Sequence, residues 1–222
     1  MPTQITNVRT ASSAVVSTNK LIRNTYMLLS LTLLFSAVTA SVSVMLRMPP
    51  MTYLVSVGIA FALMWLVLPR TADSASGLGV VFAITGLLGF ALGPILSMYL
   101  KLPHGPQLVA TALGGTGIIF LGLSTYALTT RRDFNFMGGF LFVGMLVVLG
   151  ASLANIFLAI PALSLAMSAV VVMLMSGFIL FDTSRMVHGG VDNYILATVG
   201  LYMNIFNLFI SLLQLLGITR DD

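Results

Sequence analysis

The chain has no cysteine and no glutamate, and its six acidic residues are all aspartate. Without thiols there are no disulfides and no thiolate metal sites, and the redox compartment goes unreported. Charge of either sign is scarce. Asp, Glu, Lys and Arg make up 7% of the 222 residues, against about 25% in ordinary soluble domains. A water-facing surface cannot be built from so few charges. The net charge of +4 is dispersed, with no basic run or aromatic interleaving of the kind that nucleic-acid binders use. No Cys/His cluster, P-loop or nucleotide fingerprint is present, so no metal ligands, cofactor site or nucleic-acid partner is expected.

What is present is apolar: 58% of residues are hydrophobic and the mean hydropathy is +1.06. A spanning helix needs about 20 mostly apolar residues. Seven runs qualify, at 26–46, 51–68, 77–99, 107–129, 134–157, 162–183 and 194–217. Between them stand Pro49-Pro50, Pro69 with Asp73, Lys101 to Pro106, Arg131-Arg132-Asp133, Pro161 and Gly189-Gly190, the punctuation expected of short connections. The composition predicts an all-α integral membrane protein with one membrane domain over 25–222, embedded in the lipid bilayer. The polar residues 1–24 are expected to form a short cytoplasmic tail, separate from the membrane domain. The run that follows is longer than the roughly 7–15 apolar residues of a signal peptide, so it is expected to be retained.

Lys and Arg placement sets the orientation. With the N-terminus in the cytoplasm, Arg9, Lys20, Arg23, Arg70, Arg131, Arg132 and Arg185 lie inside, and Arg47, Lys101 and Arg220 outside. That bias predicts a cytoplasmic N-terminus and a periplasmic C-terminus. The alternative is a re-entrant last run, which would leave six crossings.

Gly86, Gly89 and Gly93 share one face of the third run, and Gly114, Gly115, Gly117 and Gly122 populate the fourth. Both sets read as close-packing surfaces. Pro94 should kink the third helix without a functional role. In the seventh run Asn204, Asn207, Ser211 and Gln214 fall within about an 80° arc that also holds Gly200. Amides facing lipid would be left unsatisfied, so this stripe should face the bundle interior or a wet cavity. Interhelical hydrogen bonding suffices to explain Asn207, Ser211 and Gln214.

The sixth helix is expected to stop at Gly189-Gly190, which puts Asp182 nearly two turns inside its end, about 9 Å at 1.5 Å per residue. A carboxylate within a membrane helix is a functional candidate. The competing readings are a local ion pair with Arg185, three residues on, and a place in the headgroup layer. The candidate partners are Arg185 and Asn204. Beside an amide the carboxylate accepts a hydrogen bond; beside a second carboxylate it would share a proton. A hydrolase reading, with Ser124 of Gly122-Leu-Ser124 as nucleophile and His104 or His188 as base, requires hydrogen-bond reach, and only His188 lies at the same end of the bundle. Ser124 reads as a packing residue, and His188 as a cap on its helix C-terminus.

STYALTTRRDF at 124–134, ILFDTSRMVHGG at 179–190 and LYMNIFNLFISLL at 201–213 resemble the Bax inhibitor-1 (transmembrane Bax inhibitor motif) family, and the resemblance extends over nearly the whole chain. It implies a seven-helix bundle with six helices around a central seventh. Channel-like members carry an aspartate on helix six and another on helix seven, proposed as a pH-sensing pair that controls calcium leak. Asp182 matches the first. The second position, in an LYLD-type motif, reads LYMN here and holds Asn204, which puts pH-gated leak of calcium or protons in doubt. Bacterial members similar to this chain instead modulate the membrane-bound ATP-dependent protease FtsH. The resemblance therefore implies a non-catalytic inner-membrane regulator that binds the FtsH complex, with residues 1–24, including Arg9, Lys20 and Arg23, as a handle for the protease. The alternative is a pH-sensitive cation leak channel with Asp182, Arg185, Asn204 and Asn207 at its polar site.

Overall fold

A computed structural model describes the backbone of residues 3–218 and the side chains of residues 17–217. Among the described residues there is no strand, and seven helices are long and apolar enough to cross a membrane. They are α1 (Thr3–Met45), α2 (Met51–Thr71), α3 (Ala75–Tyr99), α4 (Gly105–Thr130), α5 (Met137–Leu158), α6 (Pro161–Val187) and α7 (Tyr194–Ile218).

Helices α1 and α2 extend past the ends expected for them. The backbone of α1 is helical from Thr3, across the change of polarity at residue 24, because no Pro or Gly interrupts residues 3–45. Helix α2 was expected to end at 68 but continues through Pro69 to Thr71. It does so by widening into a π turn over Leu63–Val67. The proline lacks an N–H and its ring crowds the carbonyl one turn back, and a π turn relieves both. The Arg70 side chain then donates to the Leu66 carbonyl and Thr71 Oγ1 to that of Val67 at 3.0 Å.

Helix α6 begins at Pro161, whose fixed φ suits a first helical position. It ends at Val187. Gly189 takes the left-handed conformation (φ 74°), and the Gly190 N–H reaches back to the Arg185 carbonyl at 2.8 Å. Glycine adopts that φ without a Cβ penalty, which is why the stop falls there.

Helix α1 packs along α3, and the α3 glycines make the approach possible. A Cβ on Gly86 would come within 2.6 Å of the Phe35 ring, and one on Gly89 or Gly93 would collide with Ser36 or Ser43. The α4 glycines do not behave this way. A Cβ on Gly114, Gly117 or Gly122 would meet nothing within 4 Å, and one on Gly115 only Leu212 at 3.6 Å. The α4 glycines therefore do not form the close-packing surface expected of them: Gly114 and Gly122 are exposed, Gly115 has only ordinary contact with Leu212, and Gly117 faces open space. Gly144 of α5 and Gly177 of α6 instead seat Leu174 and Leu141 between those two helices.

Helix α7 is the most buried of the seven: 61% of its most apolar window is covered, against 11% for α5. It packs on α1, α3, α4 and α6, whereas α2 lies against α3 and α5 against α6. Its buried side chains, among them Leu201, Tyr202, Leu208 and Leu213, belong to the hydrophobic core.

Candidate functional site

The polar stripe of α7 faces α6, and it is bonded there at two levels. Asn204 is buried and donates from Nδ2 to Asp182 Oδ2 at 2.7 Å. Ten residues on, Gln214 Oε1 accepts from Ser168 Oγ at 2.8 Å. Gly200 lies over the same carboxylate, where an added Cβ would stand 3.6 Å from Asp182 Oδ2. In an antiparallel helix pair, two such bonds fix both the register and the rotation of α7.

Of the expected site residues, the structure brings Asp182 and Asn204 together and leaves the other two apart. Arg185 remains an electrostatic neighbour of Asp182. Its guanidinium, however, donates to the Gly190 carbonyl at 2.9 Å and covers the Phe181 ring at 5.5 Å. The local ion pair is thus replaced by a cap on the helix end, where a cation also meets the favourable end of the helix dipole. Asn207 turns back to its own helix and donates to Met203 O at 2.8 Å, so it is not an interhelical link. Lys20 and Arg23 are exposed on α1, while the Arg9 side chain lies outside the described residues.

Three further polar groupings are built into the bundle. Tyr202 of α7 donates to the Thr85 carbonyl of α3 at 3.2 Å and bonds Ser36 of α1 at 2.6 Å, joining three helices at one hydroxyl. Tyr26 of α1 reaches Thr183 Oγ1, beside Asp182, at 3.4 Å. Ser184 of α6 is fully buried; it accepts from the Phe134 N–H at 3.0 Å and donates to Arg132 O at 3.1 Å. His188 completes this latch. Its Nδ1 lies 2.9 Å from Ser184 O and its Nε2 3.1 Å from Arg131 O. The expected cap is present, and it also fastens the α4–α5 connection to α6. Buried hydroxyls on apolar helices are the signal that could have pointed to Ser184, Ser36 and Tyr202.

Ser124 is buried and its hydroxyl has no hydrogen-bond partner. His104 opens the same helix, about 30 Å away at 1.5 Å per residue, and His188 is held in the latch. Among the described residues, neither histidine forms a hydrogen bond with Ser124.

Residues 18–221 match the family model described as inhibitor of apoptosis-promoting Bax1. A protein of Escherichia coli (strain K12) named modulator of FtsH protease YccA is 50% identical over 211 residues, 95% of each chain. Its counterpart in another strain of that species is named inner membrane protein YccA, with the same identity and coverage. A protein of Vibrio cholerae described as an uncharacterized membrane protein is 47% identical over 96% of each chain. With its seven apolar helices, this chain is a multi-pass protein of the inner membrane. It belongs to the Bax inhibitor-1 family.

Proposed function

We propose that the protein is a non-catalytic regulator that binds the FtsH protease within the membrane and restrains it. The observation that carries this reading is 50% identity over 95% of both chains with a relative named as a modulator of that protease. In this reading α7 is the central helix, the N-terminus is cytoplasmic and the C-terminus periplasmic. Residues 1–24 are presented to the protease, and Arg9, Lys20 and Arg23 belong to that handle. Asp182 and Ser168 anchor α7 through Asn204 and Gln214, and the bundle acts as a rigid body. The test is co-purification of FtsH with the full chain from mild detergent, with turnover followed in parallel. Deleting residues 2–16 together with Lys20→Ala and Arg23→Ala should slow the protein's own degradation while membrane insertion is kept; unchanged turnover would remove the tail from the mechanism.

The second reading, a pH-sensitive calcium or proton leak, has the half-buried Asp182 in its favour, since a carboxylate inside a membrane bundle is commonly functional. It predicts calcium flux in proteoliposomes that varies between about pH 6 and 8 and loses that variation in Asp182→Asn, because removing the ionisable group removes the sensor. Asn204→Asp would restore a pair able to share a proton and should strengthen the response.

A further inference from the structure

A crevice of about 600 Å³ enters the bundle between α1 and α4, floored by α3 and α7. These two outer helices are not packed against each other along their length. They meet at Tyr26 and Phe120, whose ring centroids are 6.0 Å apart, and beyond that contact the gap runs toward the C-terminal ends of α1 and α3. The mouth is flanked by the exposed side chains of Met45 and Leu113, and Gly117 and Phe209 stand deeper.

Chemistry narrows the occupant. Four hydroxyls line the crevice, and each is engaged. Ser41 donates to Ala37 O at 2.8 Å and Thr116 to Ala112 O at 2.7 Å, while Ser36 and Tyr202 bond each other, with Tyr202 passing its proton to Thr85 O. The hydroxyl protons of Ser41, Thr116 and Tyr202 are thus committed to carbonyls, and apart from Ser36 the other lining side chains are apolar. Such a surface is better suited to a hydrocarbon chain than to a water or hydrated ion that needs two to four polar partners. Met45 and Leu113 at the mouth are exposed apolar side chains on helices long and apolar enough to span a membrane, so lipid is the occupant within reach. Beyond the outer end stand two exposed cations, Arg47 just past Met45 and Lys101 just past Leu100.

We infer that the crevice is a phospholipid site: it takes one acyl chain between α1 and α4, and Arg47 and Lys101 receive an anionic headgroup above it. The volume lies within the roughly 300–1,000 Å³ typical of built ligand pockets. The occupied chain fills the gap that α1 and α4 leave and holds those helices apart. This site is separate from the Asp182–Asn204 pair and does not depend on the protease reading.

The test places a Phe209→Trp reporter in a Trp65→Phe background, in nanodiscs whose phospholipids carry brominated acyl chains. Phe209 is buried, so bromine quenches the reporter only by entering the crevice. Strong quenching is expected, and Gly117→Leu should abolish it, since that side chain would fill the space without a backbone clash. Replacing brominated phosphatidylglycerol with brominated phosphatidylcholine should weaken quenching several-fold, and Arg47→Ala with Lys101→Ala should erase that preference. An unquenched reporter, or quenching unchanged by Gly117→Leu, would overturn the acyl-chain site. Equal quenching by both lipids would overturn the headgroup assignment. Native mass spectrometry of the unlabelled protein gives an independent reading: phospholipid should survive detergent washing and be lost in Gly117→Leu.

Discussion

Asn204 of α7 and Asp182 of α6 share a 2.7 Å hydrogen bond in which the amide donates and the carboxylate accepts. The two residues are 22 positions apart, on consecutive antiparallel helices. Removing the donor leaves a half-buried carboxylate without its amide partner. Asn204→Leu should therefore destabilise the bundle by about 1.5–3 kcal/mol, the range for a hydrogen bond to a charged group. Asp182→Asn should cost less, since an amide still accepts. Reversible unfolding in mixed detergent micelles measures both, and equal effects would contradict the assigned roles.

Ser168 and Gln214 form the second tie between the same helices. A double-mutant cycle with Ser168→Ala and Gln214→Leu should return a coupling of about 0.6 kcal/mol, the usual size for such bonds inside membranes. Zero coupling would mean that the amide does not link the helices.

The two glycine sets should respond in opposite directions. Gly93→Ala forces a methyl group into Ser43 and should cost about 1–3 kcal/mol through overpacking. Gly114→Ala meets open space and should stabilise by about 0.5–1 kcal/mol through helix propensity. The same unfolding assay compares them directly, and matching signs would contradict the packing described for α3 and α4.

The latch at Ser184 and His188 guards a pair of arginines. His188→Ala removes the contacts to Ser184 O and Arg131 O, so the α4–α5 connection should open more often. Trypsin applied to membrane vesicles should then cut after Arg131 or Arg132 at least several-fold faster than in wild type. Cleavage confined to inside-out vesicles would also verify the cytoplasmic orientation. An unchanged rate would show that Ser184 alone holds the connection.

Much of this was legible before any coordinates. Seven apolar runs located seven helices, because in hydrocarbon every backbone group must be satisfied within its own segment. The period of Asn204, Asn207, Ser211 and Gln214 predicted an inward stripe on α7; Asn204 and Ser211 are buried, whereas Asn207 bonds its own helix and Gln214 is exposed beside Ser168. Arg185 and Asn204 were both open as partners of Asp182, and the Asn204 amide is the one hydrogen-bonded to the carboxylate. Other features were hidden for physical reasons. Gly93 and Gly114 look alike in sequence, and only the neighbour opposite each distinguishes a packing glycine from a free one. Arg185 had two partners within reach, and the left-handed turn at Gly189 decided for the Gly190 carbonyl. Ser184 carries no periodic signal; its role depends on a connection some 50 residues away in the chain.

The central claim is that this membrane bundle restrains FtsH. It is tested most directly by reconstituting purified FtsH in proteoliposomes with and without the full chain and following degradation of a model membrane substrate in the presence of ATP. A several-fold slower rate that rises with the amount of protein, and that is relieved by Gly93→Ala disruption of the bundle, is the predicted result. Degradation at the same rate with and without a molar excess of folded protein would contradict it.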